Sequence, residues 1–133
     1  MPPAPIPDNE RARLEALRRY AVLDTPTEES FDRFTRLASS ILGTPTAIIS
    51  FIDATEQWFK STVGLSLRST PRSRSFCAYT ILADDVLVVP DASMDHRFTD
   101  NPMVVEASGV RFYAGAPLTT PDGFRIGTLS VAS

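Results

Sequence analysis

Seven residues near the middle of the chain constrain it most. Thr46-Ala47-Ile48-Ile49-Ser50-Phe51-Ile52 is short, apolar and rich in β-branched side chains, which reads as a strand buried at the centre of a sheet. Asp53-Ala54-Thr55-Glu56 reads as a turn, and residues 57–63 return as a second strand, a hairpin ended by Gly64. Val86-Leu87-Val88-Val89 is a short strand stopped by Pro90, and residues 112–118 form the next. Pro121-Asp122-Gly123 is a turn signal that joins residues 125–131 into a final hairpin. Residues 76–82 fit a short helix or a strand, because periodicity does not decide over so few positions.

Two helices precede the sheet. Asp8 can cap one whose inner face carries Leu14, Leu17 and Ala21, and whose outer face carries Arg11, Arg13, Glu15, Arg18 and Arg19. Asp24-Thr25-Pro26 breaks it, since a residue before proline is pushed out of the helical region. Thr27 restarts a second helix with Glu28 and Glu29 in its first turn, where the helix dipole favours acids. Phe31, Phe34, Leu37, Ala38 and Ile41 make one apolar stripe on it, and Gly43 with Pro45 stops it. Two helices, a hairpin, an irregular middle and a second hairpin predict an α+β fold. Its central antiparallel β-sheet carries helices packed on one face and an irregular segment on the ligand side. A chain of 133 residues fits one domain, residues 9–133, behind a flexible proline-rich leader at residues 1–8.

Composition removes several function classes. A net charge of -3 gives no pull toward nucleic acid or acidic lipid. No run approaches a membrane span and no signal-peptide pattern opens the chain, so the expected compartment is the cytoplasm. Cys77 and His96 are the single cysteine and the single histidine, which removes disulfides and a two-histidine metal face. There is no glycine-rich phosphate loop, and Ser75 and Ser130 lie in no nucleophile-elbow pattern. A Cys77–His96 catalytic pair is conceivable, but a lone cysteine is usually buried and inert. The expectation is therefore no catalysis, with Cys77 buried among Phe76, Ala78 and Ile81.

Four segments resemble the GAF domains at the front of bacterial sensor histidine kinases and diguanylate cyclases. They are residues 19–26 (Arg-Tyr-Ala-Val-Leu-Asp-Thr-Pro) with residues 28–32; Gln57-Trp58-Phe59-Lys60-Ser61; Thr70-Pro71-Arg72 leading into Ser75-Phe76-Cys77-Ala78; and residues 88–118, from Val-Val-Pro-Asp-Ala to Arg-Phe-Tyr-Ala-Gly-Ala-Pro-Leu. The resemblance covers residues 9 to 131. It implies a GAF/PAS-like sensory module of two-component or related signalling. Such a module binds a small molecule, dimerises with a second copy and passes ligand or redox state to a kinase- or cyclase-type output domain in a longer chain. Two other readings stay open: a small thiol-dependent reductase or hydrolase using Cys77, and a ligand-free dimerisation scaffold.

The chain also departs from related domains. They tend to run through a Cys-Val-Ile-Asp-like segment into a carboxy-terminal helix, which Ser130-Val131-Ala132-Ser133 does not provide; either the chain is cut from a longer protein or it is unusually short. The Asn-Lys-Phe-Asp-Glu signature of cyclic-nucleotide-binding members is missing. Tyr79 stands near Cys77 where bilin-attaching members often have His, and free-methionine-sulfoxide reductases of this fold use several cysteines.

The resemblance puts a ligand between one sheet face and the irregular middle, and so at Phe76, Cys77, Tyr79, Asp91, Arg97, Phe98, Asn101 and Tyr113. Aromatic walls with a few polar groups suit a small planar or anionic ligand. Each residue also has a plainer reading. Phe76, Phe98 and Tyr113 serve equally as core, Asp91 and Asn101 as loop braces, and Arg72 and Arg74 as solvated charges. Trp58 is core or partner contact. Arg97 either meets an anionic group or pairs with Asp95 or Asp100. Residues 91–109, rich in Asp, Asn, Ser and Pro yet holding Phe98, Met103, Val104 and Val105, form the expected ligand-responsive lid.

Overall fold

The computed structural model describes residues 2–20, 28–106 and 109–133. Helices α1 (Glu10–Arg19) and α2 (Glu29–Leu42) lead into strands β1 (Thr46–Ile52), β2 (Glu56–Val63) and β3 (Ser69–Pro71). A 3-10 turn (Arg72–Arg74), α3 (Cys77–Thr80), β4 (Leu87–Val89), a second 3-10 turn (Ala92–Met94) and α4 (Pro102–Val105) follow. Strands β5 (Tyr113–Thr119) and β6 (Arg125–Ala132) close the chain. The open alternative at residues 76–82 resolves as helix. The six strands form one antiparallel sheet in the order β3-β2-β1-β6-β5-β4, so β1 is central as its composition predicts.

Alternation along β1 sends successive residues to opposite faces, and each face carries its own core. Ile49 and Phe51 join Ala16, Leu17 and Ile126 under α1 and α2. Ile52 joins Phe76, Cys77, Ile81, Val89, Phe98, Val104 and Tyr113 on the other side. That second side is where α3, α4 and both 3-10 turns lie.

Three expectations about the helices are corrected. The first helix starts at Glu10 with Asn9 as its cap residue, and no side chain makes a capping bond. Arg13 is not on the outer face but is 1% exposed. It donates from Nη1 to the carbonyl of Ile52 (2.7 Å) and from Nε to Glu10 (2.8 Å), and Arg72 also bonds Glu10 from across the sheet end. A charge is tolerated there because carboxylate and carbonyl partners replace water. The third correction concerns the α2 stripe. Phe31 meets Phe51 edge-to-face at 6.4 Å, but Phe34 (59%), Leu37 (52%) and Ile41 (70%) face outward. The sheet beneath α2 is polar: Ser61 bonds both Thr35 and Asp32, and buried Lys60 reaches Glu28 at 2.9 Å. Thr35 rather than the stripe turns inward to meet it. The expected helix start at Thr27 and the inward Ala21 lie outside the described residues.

Gly64 adopts φ +75 at the end of the first hairpin, where a side chain would run into the backbone of Pro45. Glycine alone fits that close approach.

Burial pushes the Glu10 carboxyl up, but hydrogen bonds and charge from Arg13 and Arg72 outweigh it and hold its pKa below the usual value. A depressed carboxyl stabilises the fold above its unfolded pKa and loses that contribution as pH falls through the folded one. Glu10→Gln is expected to cost about 1–3 kcal/mol at pH 7. Urea titrations should show the gap to the parent protein closing below about pH 4.

Candidate functional site

Between the second sheet face and the α3–α4 side lies a cavity of about 500 Å³. Its sheet wall follows from alternation: Thr46 and Ile48 of β1, Gln57 and Phe59 of β2, and Ser130 and Ala132 of β6 all project into it. Phe76, Cys77 and Tyr113 bound it on the α3 side, and Asn101, Met103 and Glu106 on the α4 side. Leu65, Leu67 and Val110 add further apolar wall, and Arg74 stands exposed on the lining.

Short hydroxyl side chains lie beneath the Cys77 wall. Cys77, 2% exposed, has its Sγ beside Thr128 Oγ1 (3.0 Å, donating), Tyr113 Oη (3.4 Å), Ser50 Oγ (3.6 Å) and Ser130 Oγ (4.0 Å). Burial is as expected for this thiol, but its surroundings are not purely apolar. The first turn of α3 aims it at the stripe where Ser50, Thr128 and Ser130 alternate inward. Gln57 donates to Ser50 (2.9 Å) and accepts from Thr70 (3.3 Å), so both ends of its buried amide are satisfied. Tyr113 shares a hydrogen bond with Thr80 (2.8 Å). Full burial, reinforced by Cys77, drives its phenol pKa well above the ordinary value, so the hydroxyl keeps its proton. Among the described residues no cluster of His, Cys, Asp and Glu could hold a metal.

The match of the GAF domain family model to residues 26–133 decides the family. The chain belongs to the GAF family. It is 43% identical over 127 residues to a cyclic di-GMP phosphodiesterase of Pseudomonas aeruginosa, a match covering 96% of this chain but 22% of that protein. The GAF domain of a phosphoenolpyruvate-protein phosphotransferase from Coxiella burnetii superposes with TM-score 0.65 at 13% identity, covering 94% of this chain and 77% of the other. A type II free methionine-R-sulfoxide reductase from Thermoplasma acidophilum gives TM-score 0.63 at 12% identity, covering 88% and 77%. At such identities the likeness is one of fold.

Of the eight residues singled out in the sequence, this GAF domain brings Phe76, Cys77, Asn101 and Tyr113 to the cavity and leaves the other four off it. Phe98 is fully buried behind the wall, stacked on Phe76 at 4.2 Å, while Phe76 stacks in turn on Tyr113 at 5.0 Å. Tyr79 packs edge-on against Phe98 and donates to the carbonyl of Pro2 (2.6 Å), on the far side of the stack. Arg97 lies over the rings of Tyr79 and Phe98 and grips Asp95 with two bonds of 3.0 and 2.7 Å, the surface pair that was its plainer reading. Asp91 is exposed and accepts from Ser93 N and Oγ, bracing a 3-10 turn. Asn101, 1% exposed, caps Met103 N and donates to the carbonyl of Arg74 (2.9 Å), tying the α4 wall to the α3 wall.

Sequence reasoning missed the sheet wall, Gln57, Phe59 and Ser130 above all. The signal was present as small polar residues on one face of two neighbouring strands: Thr46 and Ser50 in β1, Thr128 and Ser130 in β6.

Gly115 sits under the Tyr113 ring, where an added methyl would overlap Oη and approach Thr80. Gly115→Ala is expected to cost about 1–3 kcal/mol by overpacking. Adding Tyr113→Phe, which removes the nearest atom, should recover part of that loss. Thermal unfolding of the single and double variants checks both, and strict additivity would contradict the contact.

Proposed function

We propose that this chain is a sensory input module that takes a small organic molecule into the cavity and passes its occupancy to an output domain. The cavity carries this reading. At about 500 Å³ it lies in the range of small-molecule sites, is mostly apolar, and offers a few convergent neutral polar groups. The chain spans 22% of the length of the curated relative it matches, which fits a module within a longer signalling protein. An output domain of kinase or cyclase type, or one that turns over a cyclic dinucleotide as in that relative, is part of the proposal. So is the cytoplasm; among the described residues no helix is long and apolar enough to cross a membrane.

The module itself is read as non-enzymatic. A thiol enzyme needs a base beside its nucleophile, whereas the polar neighbours of Cys77 Sγ are hydroxyls and the thiol is 2% exposed. Replacing Cys77 by Ser in an assay of reductase or hydrolase turnover separates the two readings. A homodimer belongs to the same reading, with the outward Phe34, Leu37 and Ile41 of α2 as its surface. Their i, i+3, i+7 spacing makes one seam.

Native mass spectrometry of freshly purified protein is expected to show a co-purifying small molecule. Its absence, both as purified and after incubation with a metabolite extract, would sink the sensory reading. In sedimentation at micromolar concentration, Leu37→Asp should shift a dimer to monomer without loss of thermal stability. An unchanged dimer would place the interface elsewhere.

A further inference from the structure

The distribution of charge around the cavity points to what it accepts. Below the rim every polar group is neutral: Ser130, Tyr113, Gln57, Cys77. An ionised group buried there would lose its water and gain no counter-charge, which is unfavourable. The buried part of the occupant is therefore uncharged. Its shape follows from the rims of Phe76 and Tyr113, whose faces stack on one another at 5.0 Å, and from Phe59 of β2 across the cavity. Such walls favour a flat ring over a branched aliphatic body.

Charge enters only where the lining is exposed. Arg74 and Glu106 are the two ionisable lining residues there. The backbone of Arg74 is fixed at the rim by Asn101 Nδ2 on its carbonyl. Its guanidinium has no carboxylate partner among the described residues. A single anionic group on the occupant finds a planar, bidentate donor at that position. Glu106, on the α4 side, adds a negative charge to the same lining, which disfavours a multiply anionic occupant.

We infer that the cavity takes a ring-bearing monocarboxylate, with the ring buried against Phe59, Phe76 and Tyr113 and the carboxylate outward on Arg74. The inference rests on the sensory reading of the same cavity and adds the ligand class. It excludes cyclic dinucleotides as occupants, since two phosphates would face one cation and one carboxylate.

Isothermal titration of the purified chain with phenylacetate and indole-3-acetate, each beside its neutral amide, tests the class. The acids are expected to bind about tenfold more tightly than the amides, the equivalent of one charge-assisted contact. Arg74→Gln should erase that ratio, weakening the acids far more than the amides. Ile48→Phe, which fills the cavity from its sheet wall, should weaken acid and amide together. Cyclic di-GMP should give no heat. Equal binding of acid and amide, or a ratio unaffected by Arg74→Gln, overturns the carboxylate assignment. Failure of all four probes, with a non-aromatic molecule retained from a metabolite extract, overturns the ligand class and leaves the sensory reading standing. Failure of the probes and of the extract overturns both.

Discussion

The cavity exists because the middle of the sheet is built from small side chains on one face. Thr46, Ser130 and Ala132 project from β1 and β6 where Leu or Phe would fill the space, and the two strands are adjacent throughout. Interiors pack to crystal-like density, so a strip of short residues leaves a void unless something large reaches in from outside. Deeper along the same face, Ser50 and Thr128 are covered by Gln57 and Cys77, which they hydrogen-bond, and Tyr113 is held by Thr80 and Cys77. This polar strip is thus satisfied within itself. It costs little to bury, and it leaves the space above Ser130 open.

The opposite face solves a different problem. Arg13, Glu10 and Arg72 form an ion cluster that fastens α1 to the end of β1 and to the 3-10 turn before α3. Breaking such a cluster leaves an uncompensated buried charge, so its value lies less in net stabilisation than in fixing geometry. α2 is also docked by polar contacts, Thr35 and Asp32 on Ser61 and Glu28 on Lys60. A helix seated through its polar residues is free to present its apolar ones outward, and Phe34, Leu37 and Ile41 do so.

The strands β1, β2, β4, β5 and β6 were legible because periods of two and turn residues are local signals; β3, three residues in a stretch that reads as a polar loop, was not. β1 runs from Thr46 to Ile52 as composition alone requires, and the Pro121-Asp122-Gly123 turn lies where expected. The family was legible too, through the spacing of its segments. The site was legible only in part. Phe76, Cys77, Asn101 and Tyr113 reach the cavity, but Arg97 satisfies itself two residues away on Asp95, and Asp91 does the same on Ser93. Side chains that bond so locally resemble ligand contacts in sequence, because both uses favour Asp, Asn and Arg in loops. Arg13 and the α2 stripe were misread for one shared reason. Helical periodicity assumes an apolar partner surface, and here the sheet offers carbonyls, Ser61 and Lys60 instead.

The same arrangement places the cavity wall close to α1. Arg72, which bonds Glu10 and the carbonyl of Asp53, begins the turn whose last residue is Arg74 on the cavity lining. Ser75 follows and accepts from Ala78 N at the start of α3, so Arg72 through Cys77 is one braced segment rather than a loose loop. An occupant touching Arg74, Phe76 and Cys77 meets a segment whose other end is fixed to α1 by paired charges. Binding energy shifts a structure only where two arrangements differ in their contacts with the ligand. The buried Arg72–Glu10 pair is a direct side-chain link between that segment and α1, and the bonds of Arg72 to the carbonyls of Asp53 and Thr55 hold its end of the link in place.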